Sequence, residues 1–173
     1  MAIPCPLTVV GVVRSARSVT ENTPVQSSLN RAEEGAIEIA EPYVEALAGL
    51  EEFDYAWVLS WLDRSDERGL GAPALRQVPF LMRRQNRAVG LFAMRGPRRI
   101  NPIGLSLVRV LGVEGATIRF GGVDLVDGTP VVDVKPYVTR FDLPPEPPRC
   151  GWFDAVELSD GVTPSDLGPP PGR

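Results

Sequence analysis

The chain has 173 residues, enough for one domain with a real core, and its 43% hydrophobic and 23% charged content is ordinary for a globular protein. It contains no histidine and only two cysteines, which excludes Ser-His-Asp and Cys-His triads, His-ligated zinc and a four-cysteine zinc site. A formal net charge of -4 also excludes a chain that is a polycation overall, so any affinity for nucleic acid must come from a local patch.

The first residues, Met1 to Pro6, lack the basic stretch and apolar run of a secretory signal. No later run approaches the ~18 apolar residues that span a bilayer, so the chain is expected in the cytoplasm with no membrane partner. Leu7 to Arg14 predicts a first strand, and the polar stretch from Ser15 to Glu34 a long loop. Loops of that length inside a compact domain are commonly functional. Gly35 to Ala40 alternates as a strand, and Pro42 followed by Tyr43 to Ala48 predicts a short helix stopped by Gly49. Tyr55 to Leu62 is a strongly β-prone, central strand, with Trp57 and Trp61 expected in the core. Ala72 to Gln77 predicts a helical turn, while Val89 to Arg95, Leu105 to Leu111 and Thr117 to Phe120 predict further strands.

Val123 to Val126 and Val131 to Tyr137 flank Asp127-Gly128, a turn dipeptide that fits a β-hairpin. Alternation along the second run sets Val131, Asp133, Lys135 and Tyr137 on one side. Lys135 is the single lysine among 18 Lys and Arg residues, which points to a position that wants a compact charge. Many short strands and little helix predict a mainly β fold: a small, closed or nearly closed barrel spanning residues 1–160. Residues 161–173, rich in Pro and Gly, are expected as an extended tail, with Trp152 and Phe153 packing the segment before it onto the barrel. Cys5 and Cys150 carry no assigned role.

The densest cluster of chemistry-bearing residues lies between Gly90 and Ser106. Arg95, Arg98 and Arg99 stand among rigid Gly-Pro and Asn-Pro turns, with Arg83, Arg84 and Arg87 just upstream. This is either a solvated arginine-rich turn or a surface for phosphate or carboxylate, to which guanidinium offers a two-pronged fork.

Two segments then become recognisable. Arg95 to Ser106 (RGPRRINPIGLS) and Val123 to Tyr137 (VDLVDGTPVVDVKPY), in that order, resemble the signature of the TsaA-like, or TrmO, family. The similarity runs from Gly11-Val-Val-Arg-Ser15 through Gly49-Leu-Glu-Glu-Phe53 and the Trp57 strand. It implies a small non-Rossmann β-barrel, commonly dimeric, that uses S-adenosylmethionine to methylate the exocyclic amine of threonylcarbamoyl-adenosine in tRNA. Absence of a GxGxxG element agrees with this. The resemblance assigns cofactor contacts to Pro24, Val25 and Gln26 of the first loop, to Asp63 and Arg64, to Arg95 and Leu105, and to Asp127, Gly128, Thr129 and Pro130. Arg98, Arg99, Asn101, Lys135 and Tyr137 are candidates for the substrate. Three positions depart from the family pattern: Val25 replaces an arginine, Asp63 a histidine and Ile100 a proline.

A sulfonium already activates its methyl carbon, so the protein mainly holds donor and acceptor in line. An exocyclic amine can shed its proton after attack, so no catalytic residue is assigned from the sequence. Two alternatives stay open: the same cofactor with a small-molecule acceptor of specialised metabolism, or a module that binds the cofactor without turnover.

Overall fold

The computed structural model describes residues 6–66 and 71–167. Six antiparallel strands close into a barrel in the order β1-β2-β7-β6-β3-β8. The strands are β1 (Gly11–Arg14), β2 (Glu34–Ile39), β3 (Tyr55–Trp61), a short pair β4 (Arg76–Gln77) and β5 (Val89–Gly90) outside the barrel, β6 (Ile103–Glu114), β7 (Thr117–Gly121) and β8 (Pro130–Pro136). Closure comes where β8 leaves β3 and meets β1 through Gly11 opposite Val131. No barrel strand is left with a bare edge, which removes the usual site of strand-to-strand aggregation.

Side-chain alternation explains where the core sits. On β3, Ala56, Val58 and Ser60 point inward, and on β6, Gly104, Ser106 and Val108 do so opposite them. Val13, Ile37, Ile118, Phe120 and Val131 complete the apolar interior. Trp57 and Trp61 occupy the other phase of β3 and are half-buried on the outside, contrary to the expectation that they would fill the core. Trp57 packs instead against Tyr137, with ring centres 6.1 Å apart.

Four local expectations change in the fold. Glu41–Leu47 is a 3-10 helix, and Val44, Leu47 and Leu50, spaced by threes, turn one edge onto the core. Ala72 to Gln77 is not a helical turn: Pro73 and Pro79 leave too short a span, and Arg76–Gln77 pairs with Val89–Gly90. The predicted strand from Val89 ends at Gly90 and gives way to a 3-10 turn, Leu91–Ala93. Val123 to Val126 is no strand either; Val123, Leu125 and Val126 are buried as an irregular plug. Asp127-Gly128 therefore does not join a hairpin. Gly128, at φ 83°, donates its N–H to the Val13 carbonyl, and β8 runs on to pair with β1 and β3.

A bulge where β8 crosses β3, between Leu59 and Ser60, breaks the alternation expected along β8. Val131 lies in the core before it and Val134 packs toward the core after it, which turns Asp133 and Lys135 outward. The C-terminal stretch also departs from expectation. Within it, Val162 and Pro164 are buried, and residues 161–167 pack on the first loop: Val25 N–H donates to Val162 O and Gly161 N–H to Leu29 O. Two apolar side chains and a run of free backbone groups suffice to dock a segment that is otherwise Pro- and Gly-rich. Residues 168–173 and Cys5 lie outside the described residues. Trp152 stacks on Phe153 and donates from Nε1 to Ala93 O at 2.7 Å, so the contact it makes is with the Leu91–Ala93 turn rather than with a barrel strand.

The long first loop is clamped rather than free. Arg17 pairs with Glu33 at its far end and also donates to Asn22 O. The Arg17 hydrogen bond holds the Glu33 carboxyl below its ordinary value. A depressed carboxylate stabilises the fold above the unfolded pKa and loses that contribution as pH falls through the folded one. Glu33→Gln is expected to cost about 1 kcal/mol near pH 7, discounted for partial exposure. The difference should vanish in acid, as thermal melts across pH would record.

Candidate functional site

A cavity of about 340 Å³ opens at one end of the barrel. Its wall draws on the clamped loop (Thr23 to Gln26), the end of β3 (Leu62 to Ser65), the arginine-rich segment (Met94, Arg95, Pro97, Arg99), the start of β6 (Ile103 to Ser106), the plug (Asp124 to Val126) and Thr129. Pro164 of the docked C-terminal stretch closes one side. The volume falls within the range typical of small-molecule sites.

The fold thus brings Pro24, Val25, Gln26, Asp63, Arg64, Arg95, Leu105 and Thr129 to one cavity from five separate stretches. Asp127, Gly128 and Pro130 stand beside it and shape the turn. The Asp127 carboxylate accepts the Ser15 N–H at 3.1 Å, and Thr129 Oγ1 donates to Val126 O at 2.7 Å. Arg95 is exposed at the rim, with one donor 3.4 Å from Leu105 O, and Arg64 reaches toward Ser18 O.

The substrate candidates separate. Arg99 lines the cavity, and its guanidinium donates to Met94 O at 2.8 Å and Leu91 O at 3.2 Å, which holds the loop in place. Arg98 donates to Gly71 O at 3.1 Å, away from the cavity wall, and Asn101 is exposed. Lys135 lies on the outer surface of β8 and Tyr137 just past its end. Lys135 Nζ pairs with Asp133 Oδ2 at 2.8 Å, and Tyr137 packs edge-on against Tyr55.

Two groups, one in the cavity wall and one buried in the barrel behind Gly104, carry no signal strong enough to mark them in the sequence. Asp124 is a carboxylate within the buried plug: Oδ1 accepts the Ser106 hydroxyl at 2.7 Å, and Oδ2 accepts Ser27 N–H at 2.9 Å and Gln26 Nε2 at 3.3 Å. Desolvation pushes its carboxyl up to about 6, against the pull of those hydrogen bonds and of Arg95. A charge inside the apolar run Gly122-Val-Asp-Leu-Val126 was the available signal. Ser60 Oγ is buried with no hydrogen-bond partner among the described residues, and it fills the space that a side chain on Gly104 would need: a Cβ there would sit 2.3 Å away.

The donor set suits a ligand with a flat apolar part and charged ends of both signs. Leu62, Met94, Leu105, Leu125 and Val126 offer apolar walls, Arg95 at the rim suits a carboxylate, and Asp63 and Asp124 suit cationic groups. S-adenosylmethionine has that composition, so these residues fit it.

Residues 12–143 match the tRNA-methyltransferase O N-terminal domain. The chain belongs to that family. Among its relatives is a probable S-adenosyl-L-methionine-binding protein of Pyrococcus abyssi, 34% identical over 145 residues that make up 84% of this chain and 74% of that one. The tRNA (adenine(37)-N6)-methyltransferase of Escherichia coli is 38% identical over 143 residues, 79% of this chain and 59% of that protein. The crystal structure of TrmO from Pseudomonas aeruginosa superposes with a TM-score of 0.70 at 33% identity, covering 90% of this chain and 66% of that one. The chain therefore spans less than two thirds of the Escherichia coli enzyme and of the Pseudomonas structure.

Proposed function

We propose that this chain transfers the methyl group of S-adenosylmethionine to the exocyclic nitrogen of a modified adenine in tRNA. The observation that carries it is one cavity at the barrel end, whose wall includes eight of the eleven cofactor positions implied by the family pattern. Relatives named as S-adenosylmethionine-binding proteins and tRNA methyltransferases support the same reading. S-adenosylmethionine supplies an electrophilic methyl carbon when bound. The chain's own residues then bind and orient: Gln26 and the Pro24-Val25 backbone form one wall, Arg95 offers a carboxylate partner, and Leu105 narrows the opening beside it. Valine at position 25 removes one cation from this wall, and Asp63 adds an anion at the rim.

Activity as a cytoplasmic homodimer belongs to this proposal. Phe92, Ile100, Ile103 and Leu105 expose apolar surface near the cavity mouth, which supports pairing with a second copy. A small-molecule acceptor is the second reading, favoured by the engagement of Arg98 and Arg99 with backbone carbonyls rather than open solvent.

Calorimetry with purified protein is expected to show S-adenosylmethionine and S-adenosylhomocysteine binding. Nucleoside mass spectrometry of tRNA incubated with protein and cofactor is expected to show one added methyl group on the modified adenosine. Absence of cofactor binding would refute the function; cofactor binding with no tRNA methylation and no salt-dependent tRNA association would transfer it to a small acceptor.

A further inference from the structure

We propose that Asp124 is the base of the reaction, accepting the proton of the acceptor nitrogen at Oδ1; this rests on the methyl transfer proposed above. A buried carboxylate is expensive to keep, and this one sits in the wall of the cavity rather than in a remote salt bridge. The residue is partly open to the cavity while its carboxyl group is enclosed by protein. The two oxygens are not equivalent. Oδ2 takes two hydrogens from the cofactor loop, from Ser27 N–H and Gln26 Nε2, and is held by them. Oδ1 takes the Ser106 hydroxyl, and the residue's own backbone N–H also donates to the carboxyl, so an N–H of the acceptor competes at Oδ1 with a hydroxyl that can rotate away.

The charges around it are few. Arg95 and Arg99 come from the segment ahead of β6, Asp63 and Arg64 from the end of β3, and Asp127 from the turn, where Ser15 N–H engages it. The clamped loop and β6 present only the neutral Gln26, Ser27 and Ser106. Desolvation outweighs the pull of Arg95 and sets the carboxyl at about 6, close to the range in which a general base works best at neutral pH.

The step balances. The nitrogen lone pair forms the bond to the methyl carbon, and the carbon–sulfur pair leaves with sulfur. The N–H pair stays on nitrogen as its proton passes to Oδ1. Sulfonium and carboxylate charges disappear together, leaving a neutral thioether and a neutral acid that later gives its proton to water.

Asp124→Asn keeps the shape and an acceptor for Ser27 N–H but cannot take the proton. Single-turnover transfer to tRNA and S-adenosylhomocysteine binding would both be followed from about pH 5 to about pH 8. In the wild type the rate should climb tenfold per pH unit at low pH and level off below about 6, the bound sulfonium drawing the break down from the value of the free protein. In D124N the plateau should fall by about 10²–10⁴-fold, well beyond any loss of S-adenosylhomocysteine affinity. Ser106→Ala removes a hydrogen bond that holds the carboxyl down, so its rate break should move to higher pH. Calorimetry gives a readout independent of turnover: near pH 6, binding of cationic S-adenosylmethionine should release up to about half a proton from the wild type and none from D124N.

An unchanged plateau in D124N, an unmoved break in S106A, or a fall in rate matched by an equal loss of S-adenosylhomocysteine affinity would each overturn the base. Those outcomes differ from failure of the function itself, in which the wild type binds no cofactor and methylates nothing.

Discussion

Phe120→Ala is expected to lower the stability of the fold by about 3–5 kcal/mol, or roughly 6–20 °C in melting temperature for a domain of this size. Phe120 is 1% exposed and is the largest side chain wholly enclosed by the barrel. It projects from β7 across to β2, where Gly35 stands opposite it in register. The two residues are matched in volume: a Cβ on Gly35 would come within 2.8 Å of Phe120 Cζ. Gly35→Ala alone should therefore cost about 1–3 kcal/mol by overpacking, and less once Phe120 is shortened to leucine. Denaturant titration of the two single variants and the double variant measures that coupling. Additive losses would mean that the ring and the glycine do not share one space.

Asp124→Asn should do the opposite to stability. Burial pushes the carboxyl of Asp124 up to about 6 in the fold from an ordinary value of 3.8, so the folded chain holds this proton more tightly than the unfolded chain. A raised folded pKa means that stability is fully present below about 4 and is lost as pH rises to about 6. Above that window the ionised side chain costs roughly 3 kcal/mol. Asparagine mimics the neutral acid and escapes the cost. Melts at about pH 4.5 and about pH 7.5 should therefore show D124N gaining on the wild type far more at the higher pH, by as much as about 6–12 °C. An equal shift at both would assign the effect to packing alone. A residue that weakens the fold at working pH and lines the cavity is what a stability–function trade-off produces.

The barrel was largely legible in the sequence because its strands carry their own signal. Tyr55 to Trp61 alternates inward and outward side chains, and β-branched residues recur in β1, β6 and β8. Which face of β3 turns inward was not legible, since tryptophans and small residues alternate with equal regularity. Burial went to Ala56, Val58 and Ser60, which fit inside a narrow six-stranded barrel where two indoles would not. The hairpin expected around Asp127-Gly128 failed for a related reason. A turn dipeptide specifies a reversal of the chain and not its partner, and Val123 to Val126 found more burial as a plug than as a strand.

The candidate site divides in the same way. Pro24, Gln26, Arg95, Leu105 and Thr129 were reachable because they lie in motifs that the chain shares with a family. Asp124 was not, because its environment is made by Ser27 and Ser106, which are 97 and 18 positions away. The docking of Val162 and Pro164 was equally invisible, since a short Pro- and Gly-rich stretch has no periodicity to announce a packed face.

By itself the sequence determined the β class, the closed barrel, the exclusion of imidazole chemistry and the motifs that point to S-adenosylmethionine. The first three follow from composition and local pattern and the cofactor from a family resemblance that those motifs carry, and neither needs knowledge of what lies across the fold. Only the tertiary structure decided which residues share the cavity, which arginines are spent holding loops, and which carboxylate is buried at its wall. Those are matters of distance and desolvation, and both are set by contacts between segments far apart in the chain.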